Sequence, residues 1–413
     1  MTAREYVHKS NPAPLAGLKV VEFTHMVMGP AVGAILVELG AEVVKVEPLT
    51  GDQSRTFRGT DVNPGFYLHN RSKKSIAIDL KQDAGKDIVY KMVRGADVFL
   101  TNYQAGSLER LGLDYETLRA INPRIIYGIV SAYGTIGPDK DMPGYDFAAG
   151  WARSGIQDML SAPGTPPPAS RPGIIDRVSS MQIFGGIAAA LFHRERTGEG
   201  QKVEFNLYHT GVWMVGADIM DALFGLPLRR VDPAKSDNPF YDVYQCSDGR
   251  WLQLTAADRY AKAADPAGSG FWNAFCRAIE RPDLAEDPRF ATTDMRQQHR
   301  DVLSPMLNEV FASRTYAEWE TRLRGEKLMY GPILSPDQVI EDPQALVNDF
   351  FAEVDQPGVG TFRTINSPNK FVQNPASIKS ATPGLGEQTD EILGELGYDT
   401  SGIDELREAR VIL

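Results

Sequence analysis

The chain has 413 residues, more than one ordinary hydrophobic core encloses, so two domains are expected. Its composition, 42% apolar and 23% charged, is that of a globular protein. The formal net charge of −11 excludes the basic field that general nucleic-acid binding needs, but an anionic small ligand can still be held by local cations.

Strand and helix signals alternate through the N-terminal half. Residues 18–23 (LKVVEF) read as the first strand, and a loop from Thr24 to Gly29 leads to Pro30, a favoured first-turn helix residue. A helix is predicted over 31–39, stopped by Gly40. Residues 42–47 and 75–80 read as the second and third strands, 83–93 as a helix, and 97–101 and 124–130 as the fourth and fifth strands. Strands separated by helices pair in parallel through right-handed crossovers, which predicts a doubly wound α/β domain. The Pro/Gly-rich stretch 161–173 is irregular and delivers the chain to Asp176 and a helix with Met181, Phe184, Ile187, Ala188 and Leu191 at helical spacing. Residues 201–207 alternate like a half-buried strand. Beyond about residue 225, a hairpin over 238–254 with a Ser-Asp-Gly turn and helices near 271–280, 296–311 and 316–324 predict a smaller α+β domain. From Gly331 the proline-rich chain reads as an extended, returning arm that ends in helices over 389–396 and 403–409. The expected division is 1–215 for the large domain, 216–330 for linker and small domain, and 331–413 for the arm and the C-terminal part of the large domain.

No uninterrupted run of about 18 apolar residues occurs, so no membrane span is expected, and residues 1–8 lack an apolar signal core. Cys246 and Cys276 match no zinc spacing and, without a leader, fit a reducing cytoplasm. The six histidines never pair at metal spacing, so no metal is expected.

Glu47 ends the second strand where a ribose-binding acid would sit, but the loop after the first strand has no GxGxxG, which argues against a dinucleotide. Neither a Walker A sequence nor a GxSxG elbow is present. His25 stands at the carboxyl end of the first strand, where open α/β sheets bind ligands. The basic run from Asn70 to Ser75, with Arg71 and Lys74, is either a solvated loop or a phosphate site, with Arg94 and Arg110 adding cations nearby. Asp176, between a glycine-rich approach and a helix, reads as a helix N-cap or as a nucleophile. The roles are compatible, because a helix N-terminus favours an ionised carboxylate.

Several blocks in order carry a resemblance. They are Gly17 to His25 with Gly29-Pro30, Leu39 to Pro48, Asn70 to Leu80, Thr101-Asn102-Tyr103 with Arg110-Leu111-Gly112, Arg194 to Gln201, Glu286 to Phe290, Glu341 to Gln344 and Leu385 to Thr389. Nearly end to end, the chain resembles the family III CoA-transferases, the formyl-CoA:oxalate and carnitine CoA-transferase group, which also holds α-methylacyl-CoA racemases. The resemblance implies a Rossmann-like large domain, a small domain and a returning C-terminal arm. It also implies an interlocked homodimer, with no tightly bound cofactor and with acyl-CoA as substrate alongside a carboxylic acid acceptor.

Asp176 falls where the family keeps its catalytic aspartate, which implies a carboxylate that attacks the acyl-CoA thioester and passes through an anhydride and an aspartyl-CoA thioester. Met26, Val27 and Met28 would line the CoA channel. Ile78, Lys81, Asn102, Tyr103, Arg110 and Leu111, with Ser131 and Tyr133, would contact the adenosine and phosphates. Val27 departs from the glutamine of oxalate-using relatives, which argues against formyl/oxalate specificity. Pro48 and Ser131 replace CoA-contacting cations of some relatives, and Arg55 is the expected compensation for the first. Pro266 to Gly270 stands in for the glycine-rich oxyanion loop. The racemases pair their aspartate with a histidine in a Gly-His-Asp context. Here the triplet is Gly144-Tyr145-Asp146, and tyrosine is a poor base at neutral pH, which favours transfer over racemisation. A non-catalytic CoA-binding protein is the remaining alternative.

Overall fold

The computed structural model describes residues 12–56, 62–162, 164–228, 238–255 and 269–413. The chain forms two compact units, one of Met1–Asp158, Ala169–Leu228 and Val347–Leu413, the other of Met159–Pro168 and Arg229–Leu346. The second unit therefore keeps 331–346, a stretch expected in the returning arm, because Tyr330–Ile333 is a strand of its sheet.

The first unit is built on six parallel strands: β1 (Lys19–Phe23), β2 (Glu42–Glu47), β3 (Lys74–Ala77), β4 (Val98–Thr101), β5 (Ile126–Ser131) and β6 (Gln201–Asn206). Their order, β3-β2-β1-β4-β5-β6, reverses direction between β1 and β4. Helices α1 (Met28–Glu38), α2 (Pro64–Asn70), α3 (Asp83–Arg94), α4 (Ala105–Leu111) and α5 (Tyr115–Ile121) fall between the strands. A π-helical segment (Phe147–Ala152), the short α6 (Ile156–Met159) and the long α7 (Ile174–Thr197) follow, with α8 (Leu207–Met214) and α9 (Gly216–Leu223) after β6.

The inner strands β1, β4 and β5 are apolar on both faces because both sides of the sheet are covered, while the edge strand β6 alternates. Val21, Val44, Phe99 and Tyr127 point into one core, with Ile88 and Val93 of α3. Their neighbours Val20, Val43, Val98 and Ile126 point into the other, with Val32 and Leu36 of α1 and Ile183 and Ile187 of α7. Each fully buried Val, Leu or Ile contributes about 1.5–3 kcal/mol of transfer free energy. By length and composition α7 is apolar enough to cross a membrane, although no uninterrupted apolar run announces it. Its Ile183, Ile187, Ala190 and Leu191 are instead buried in the sheet's second core, the pattern of a core helix.

The second unit holds the antiparallel sheet β7 (Val243–Gln245), β8 (Trp251–Leu254) and β9 (Tyr330–Ile333), with α10 (Ser269–Ala278), α11 (Pro282–Glu286), α12 (Thr293–Gln298), α13 (Arg300–Phe311) and α14 (Tyr316–Gly325). The single helix expected over 296–311 is two, separated at His299. Phe240, Trp272, Phe275, Phe311 and Trp319 dominate its core, and Cys246 and Cys276 are buried free thiols within it.

Short helices α15 (Pro336–Val339) and α16 (Pro343–Val347) precede the chain's return to the first unit. There the expected extended arm contains an antiparallel hairpin, β10 (Phe351–Gln356) and β11 (Gly360–Ile365). Helices α17 (Thr389–Glu395) and α18 (Thr400–Glu408) then bury Ile392, Leu393 and Ile403 in the first core. Ile412 forms a β-bridge with Ile78.

Candidate active site

At the reversal of strand order, the loops leaving β1 and β4 are tied together. The Asn102 side chain accepts from the His25 N–H (3.0 Å) and donates to the His25 carbonyl (2.8 Å). The Tyr103 ring stacks on Phe23 (4.1 Å between centroids) and meets His25 edge-on at 4.7 Å. Burial holds the His25 imidazole below its ordinary pKa, so the ring is neutral at pH 7, and its Nδ1 has no hydrogen-bond partner among the described residues.

The next residue, Met26, has φ +67°, a left-handed conformation that costs a methionine of order 1 kcal/mol. Its N–H is held by Asp52 Oδ1 at 3.2 Å. Asp52 belongs to a buried charge network. Lys45 Nζ lies 3.0 Å from Asp52 Oδ2 and donates to the Thr24 carbonyl (3.0 Å), while Lys73 Nζ lies 2.7 Å from Glu22 Oε2. Burial pushes the Asp52 carboxyl up, but Lys45 and the Ser54 hydrogen bonds outweigh it and hold the group below the usual carboxylate range. The loop from Thr24 to Met28 is thus braced from beneath by Asp52 and Lys45 and from the side by Asn102.

A cavity of about 300 Å³ opens here, lined by His25, Asn102, Tyr103, Gln104, Ser107, Ser131, Lys140 and Gly144-Tyr145, among others. Tyr145 leads directly into Asp146, and Asp146 leads to the nucleophile candidate. Asp146 is 2% exposed, and its Oδ2 accepts the Gly173 N–H at 2.6 Å. Gly173, at φ +83°, is the N-cap of α7, a backbone state that costs glycine nothing. Asp176 is therefore not the cap that its sequence context suggested. It is the third residue of the helix, and the capping carboxylate comes from Asp146. Burial, and then the negative charge of Asp146, push the Asp176 carboxyl up to about 7, with Arg177 opposing. The expectation that a helix N-terminus keeps this carboxylate charged is thus opposed here by burial and by Asp146, which both raise the group above the ordinary carboxylate range.

CoA-transferase family III is the family whose model matches the chain, over residues 15–389. The (R)-2-hydroxy-4-methylpentanoate CoA-transferase of Clostridioides difficile is 32% identical over 96% of this chain and 99% of its own. The cinnamoyl-CoA:phenyllactate CoA-transferase of Clostridium sporogenes is 30% identical, over 98% of both chains. A crystal structure of Rv3272 from Mycobacterium tuberculosis superposes with a TM-score of 0.79 at 31% identity, covering 92% of this chain and 99% of that one. The chain belongs to CoA-transferase family III. It is an enzyme of that family.

On this family III chain the site residues expected from sequence separate into groups. His25, Asn102, Tyr103 and Ser131 line the cavity together. Arg110 is exposed and donates to Ser107 Oγ (2.9 Å) on the cavity wall, with Leu111 beside it at the end of α4. Met26, Val27 and Met28 form the braced loop and the start of α1, with Met28 buried. Tyr133 packs beside Gly144 and carries the Arg153 guanidinium over its ring at 5.0 Å. Ile78 is a core side chain, and Lys81 is exposed beyond β3.

Other expectations are corrected by the ion pairs. Arg71 is buried, bonded to Glu38, to Thr364 Oγ1 (2.7 Å) and to the Ile365 carbonyl (2.8 Å), so it ties β11 to α1 and is not available to a phosphate. Lys74 opens β3 at the amino end of the sheet, paired with Glu42, Glu391 and Glu395. Arg55, the expected replacement cation, is held by both oxygens of Glu47 (2.8 and 2.6 Å) and stacks on Phe66. The same pair removes Glu47 from any ribose-binding role. Of the oxyanion-loop candidate, residues 266–268 lie outside the described residues.

Sequence reasoning passed over Asp146, Asp52 and Lys140. Asp146 was in view only as the neighbour of Tyr145, and no local pattern links it to Gly173 across 27 positions. Gly51-Asp52-Gln53-Ser54 did carry a signal, an aspartate before a serine in turn spacing, and Asp52 Oδ1 indeed accepts from Ser54 N at 2.8 Å.

Proposed function

We propose that this enzyme moves CoA from an acyl-CoA donor to a carboxylic acid acceptor, with Asp176 as the nucleophile. The observation that carries this reading is a half-buried carboxylate in the first turn of α7, raised to about 7, whose helix is capped by Asp146, the residue that follows Tyr145 of the cavity wall. The Asp176 carboxylate attacks the thioester carbonyl and expels CoA thiolate, leaving an acyl–aspartyl anhydride. The thiolate attacks the aspartyl carbonyl, which forms the aspartyl-CoA thioester and releases the donor acid. An acceptor carboxylate then displaces the thiolate to give a second anhydride, and the thiolate attacks its acyl carbonyl, which yields the new acyl-CoA and restores Asp176. Splitting the exchange this way replaces one reaction between poor nucleophiles by easier steps.

His25, Asn102, Tyr103 and Ser131 would contact CoA in the cavity, with Met26, Val27, Met28 and Tyr133 along the channel. Lys140 and Arg110 would supply the phosphate cations that Arg71, Lys74 and Arg55 do not. The apolar Met26-Val27-Met28 loop suits an acceptor with an apolar body, as do the names of the two clostridial relatives. The enzyme would act as a homodimer. Trp213, Leu223 and Phe224 stand 78%, 74% and 74% exposed on and beside α8 and α9, a patch of the kind that protein partners cover.

The test is to add a donor from a panel of acyl-CoAs and trap with hydroxylamine or borohydride. Mass spectrometry is expected to find the adduct on Asp176, and light scattering a dimer. Absence of any Asp176 adduct with a competent donor overturns the reading. So does exchange of an α-proton of acyl-CoA in deuterated water without an acceptor acid, which is the signature of a racemase.

A further inference from the structure

Resting on the reading of Asp176 as nucleophile, the question is what fixes the first turn of α7. That turn has no cap of its own, since its N-cap Gly173 carries no side chain. It is held by the segment that follows Tyr145. Asp146 Oδ2 accepts the Gly173 N–H at 2.6 Å. Four residues on, the π-helical segment brings Gly150 so close to Ile175 that a Cβ on Gly150 would lie 2.6 Å from Ile175 Cγ2. Ile175, wholly buried beside Ala149, directly precedes Asp176. The wall of the cavity and the turn bearing Asp176 are therefore one mechanical piece, joined by a hydrogen bond and a backbone-close packing contact.

We propose that Asp146 is a positioning residue for Asp176: from outside the helix it caps α7, fixes the turn that carries the nucleophile, and places a second carboxylate beside it. The charges around Asp176 make this arrangement one-sided. On α7 itself Arg177 opposes Asp146, but its guanidinium also donates to the Gly173 carbonyl at 2.9 Å and acts on the buried His69. The only charged residue of α1, which packs along α7, is Glu38 at its far end, and it is paired with Arg71. On β6, Lys202 and Glu204 pair with each other. On α8 the titratable residues are Tyr208 and His209, and beyond the π-helical segment Arg153 pairs with Asp139 at 2.6 Å. Asp146 is thus the charge that raises the basicity of the nucleophile, and it is also the residue that holds it in place.

Asp146→Asn separates the two roles, because the amide oxygen can still accept from Gly173 while the charge is gone. The pH profile of kcat/KM and the yield of trapped Asp176 adduct are measured for wild type, Asp146→Asn and Asp146→Ala. The acid limb of Asp146→Asn is expected about one pH unit lower than in wild type. Asp146→Ala, which also loses the cap, is expected to show in addition a fall of about tenfold in kcat with a smaller change in KM. An unshifted acid limb in Asp146→Asn, with adduct still formed, overturns the inference and leaves the nucleophile reading standing. No adduct in the wild type overturns that reading and the inference with it. Should Asp146→Asn not fold, Asp146→Ser supplies a second neutral acceptor. The infrared difference between wild type and Asp176→Asn then checks the wild type directly, since a missing carboxylic-acid band at pH 6 overturns the inference.

Discussion

Beneath the loop that follows β1, Glu22, Glu47 and Asp52 are buried with Lys45, Lys73 and Arg55 packed against them. At the head of α7 the buried Asp146 acts on the half-buried Asp176, with Arg177 as the countercharge. Burial raises a carboxyl pKa in both places, yet the outcomes are opposite. Cations outweigh it at Asp52 and Glu47, which stay below the ordinary range. A second carboxylate adds to it at Asp176, which rises to about 7. The first cluster is a fully compensated brace, suited to holding Met26 and Thr24 in place. The second is left under-compensated, as expected of a group that must change its bonding during a reaction.

The sharpest way to break this contrast is to remove Asp176. Asp176→Ala is expected to lower kcat by roughly 10⁴-fold while the far-UV circular dichroism stays that of wild type, since among the described residues the Asp176 side chain makes no hydrogen bond that holds the fold. A smaller loss, below about tenfold, would move the nucleophile elsewhere. The corresponding change in the brace acts on stability. Lys45→Met leaves Glu22 and Asp52 buried without this cation and is expected to cost about 3–5 kcal/mol in urea denaturation. A cost under about 1 kcal/mol would mean that the brace is not held by its charges. Between the two lies Asn102, which secures the His25 backbone by two hydrogen bonds. Asn102→Ala is expected to lower kcat/KM by about 10- to 100-fold, mostly through the KM for acyl-CoA. An unchanged KM would show that the loop holds its shape without this clamp.

What the sequence revealed and what it hid follow the same division. The parallel strands were legible because residues such as Val20-Val21 and Val43-Val44 are apolar on both faces, a local property. His25 was legible as a cavity residue because strand ends in an open α/β sheet define where ligands bind, whereas Asn102 was legible only through the family resemblance. The fate of the cations was not. Arg71, Lys74 and Arg55 are ordinary basic residues in a line of text, and only the return of β11, α17 and Glu47 to their sides shows that they are consumed. The helix cap failed for the same reason. Asp176 has the local chemistry of an N-cap, but a carboxylate from 27 positions before Gly173 arrives first, and the helix begins two residues earlier than Asp176.

The smallest expected effect tests the contrast by its sign. In the folded chain Asp176 titrates near 7, against an ordinary value of 3.8 in the unfolded one. A raised carboxyl favours the folded state relative to its ionised form only while protonated. Its contribution is therefore complete below pH 4 and is lost as pH rises through 7. Asp176→Asn, which cannot ionise, is accordingly expected to gain about 1 kcal/mol over wild type at pH 8, with the gain shrinking as pH falls from 7 to 4. Asp52 is lowered, so its stabilisation is present above pH 4 and is lost as pH falls through its folded value. Asp52→Asn is then expected to be less stable than wild type at pH 7, with the deficit closing only on acidification. Urea midpoints for the two variants at pH 4, 6 and 8 decide the matter. Matching pH trends would mean that the two clusters do not differ in compensation, whereas a gain that grows with pH for Asp176→Asn beside a deficit that stays level for Asp52→Asn requires that they do.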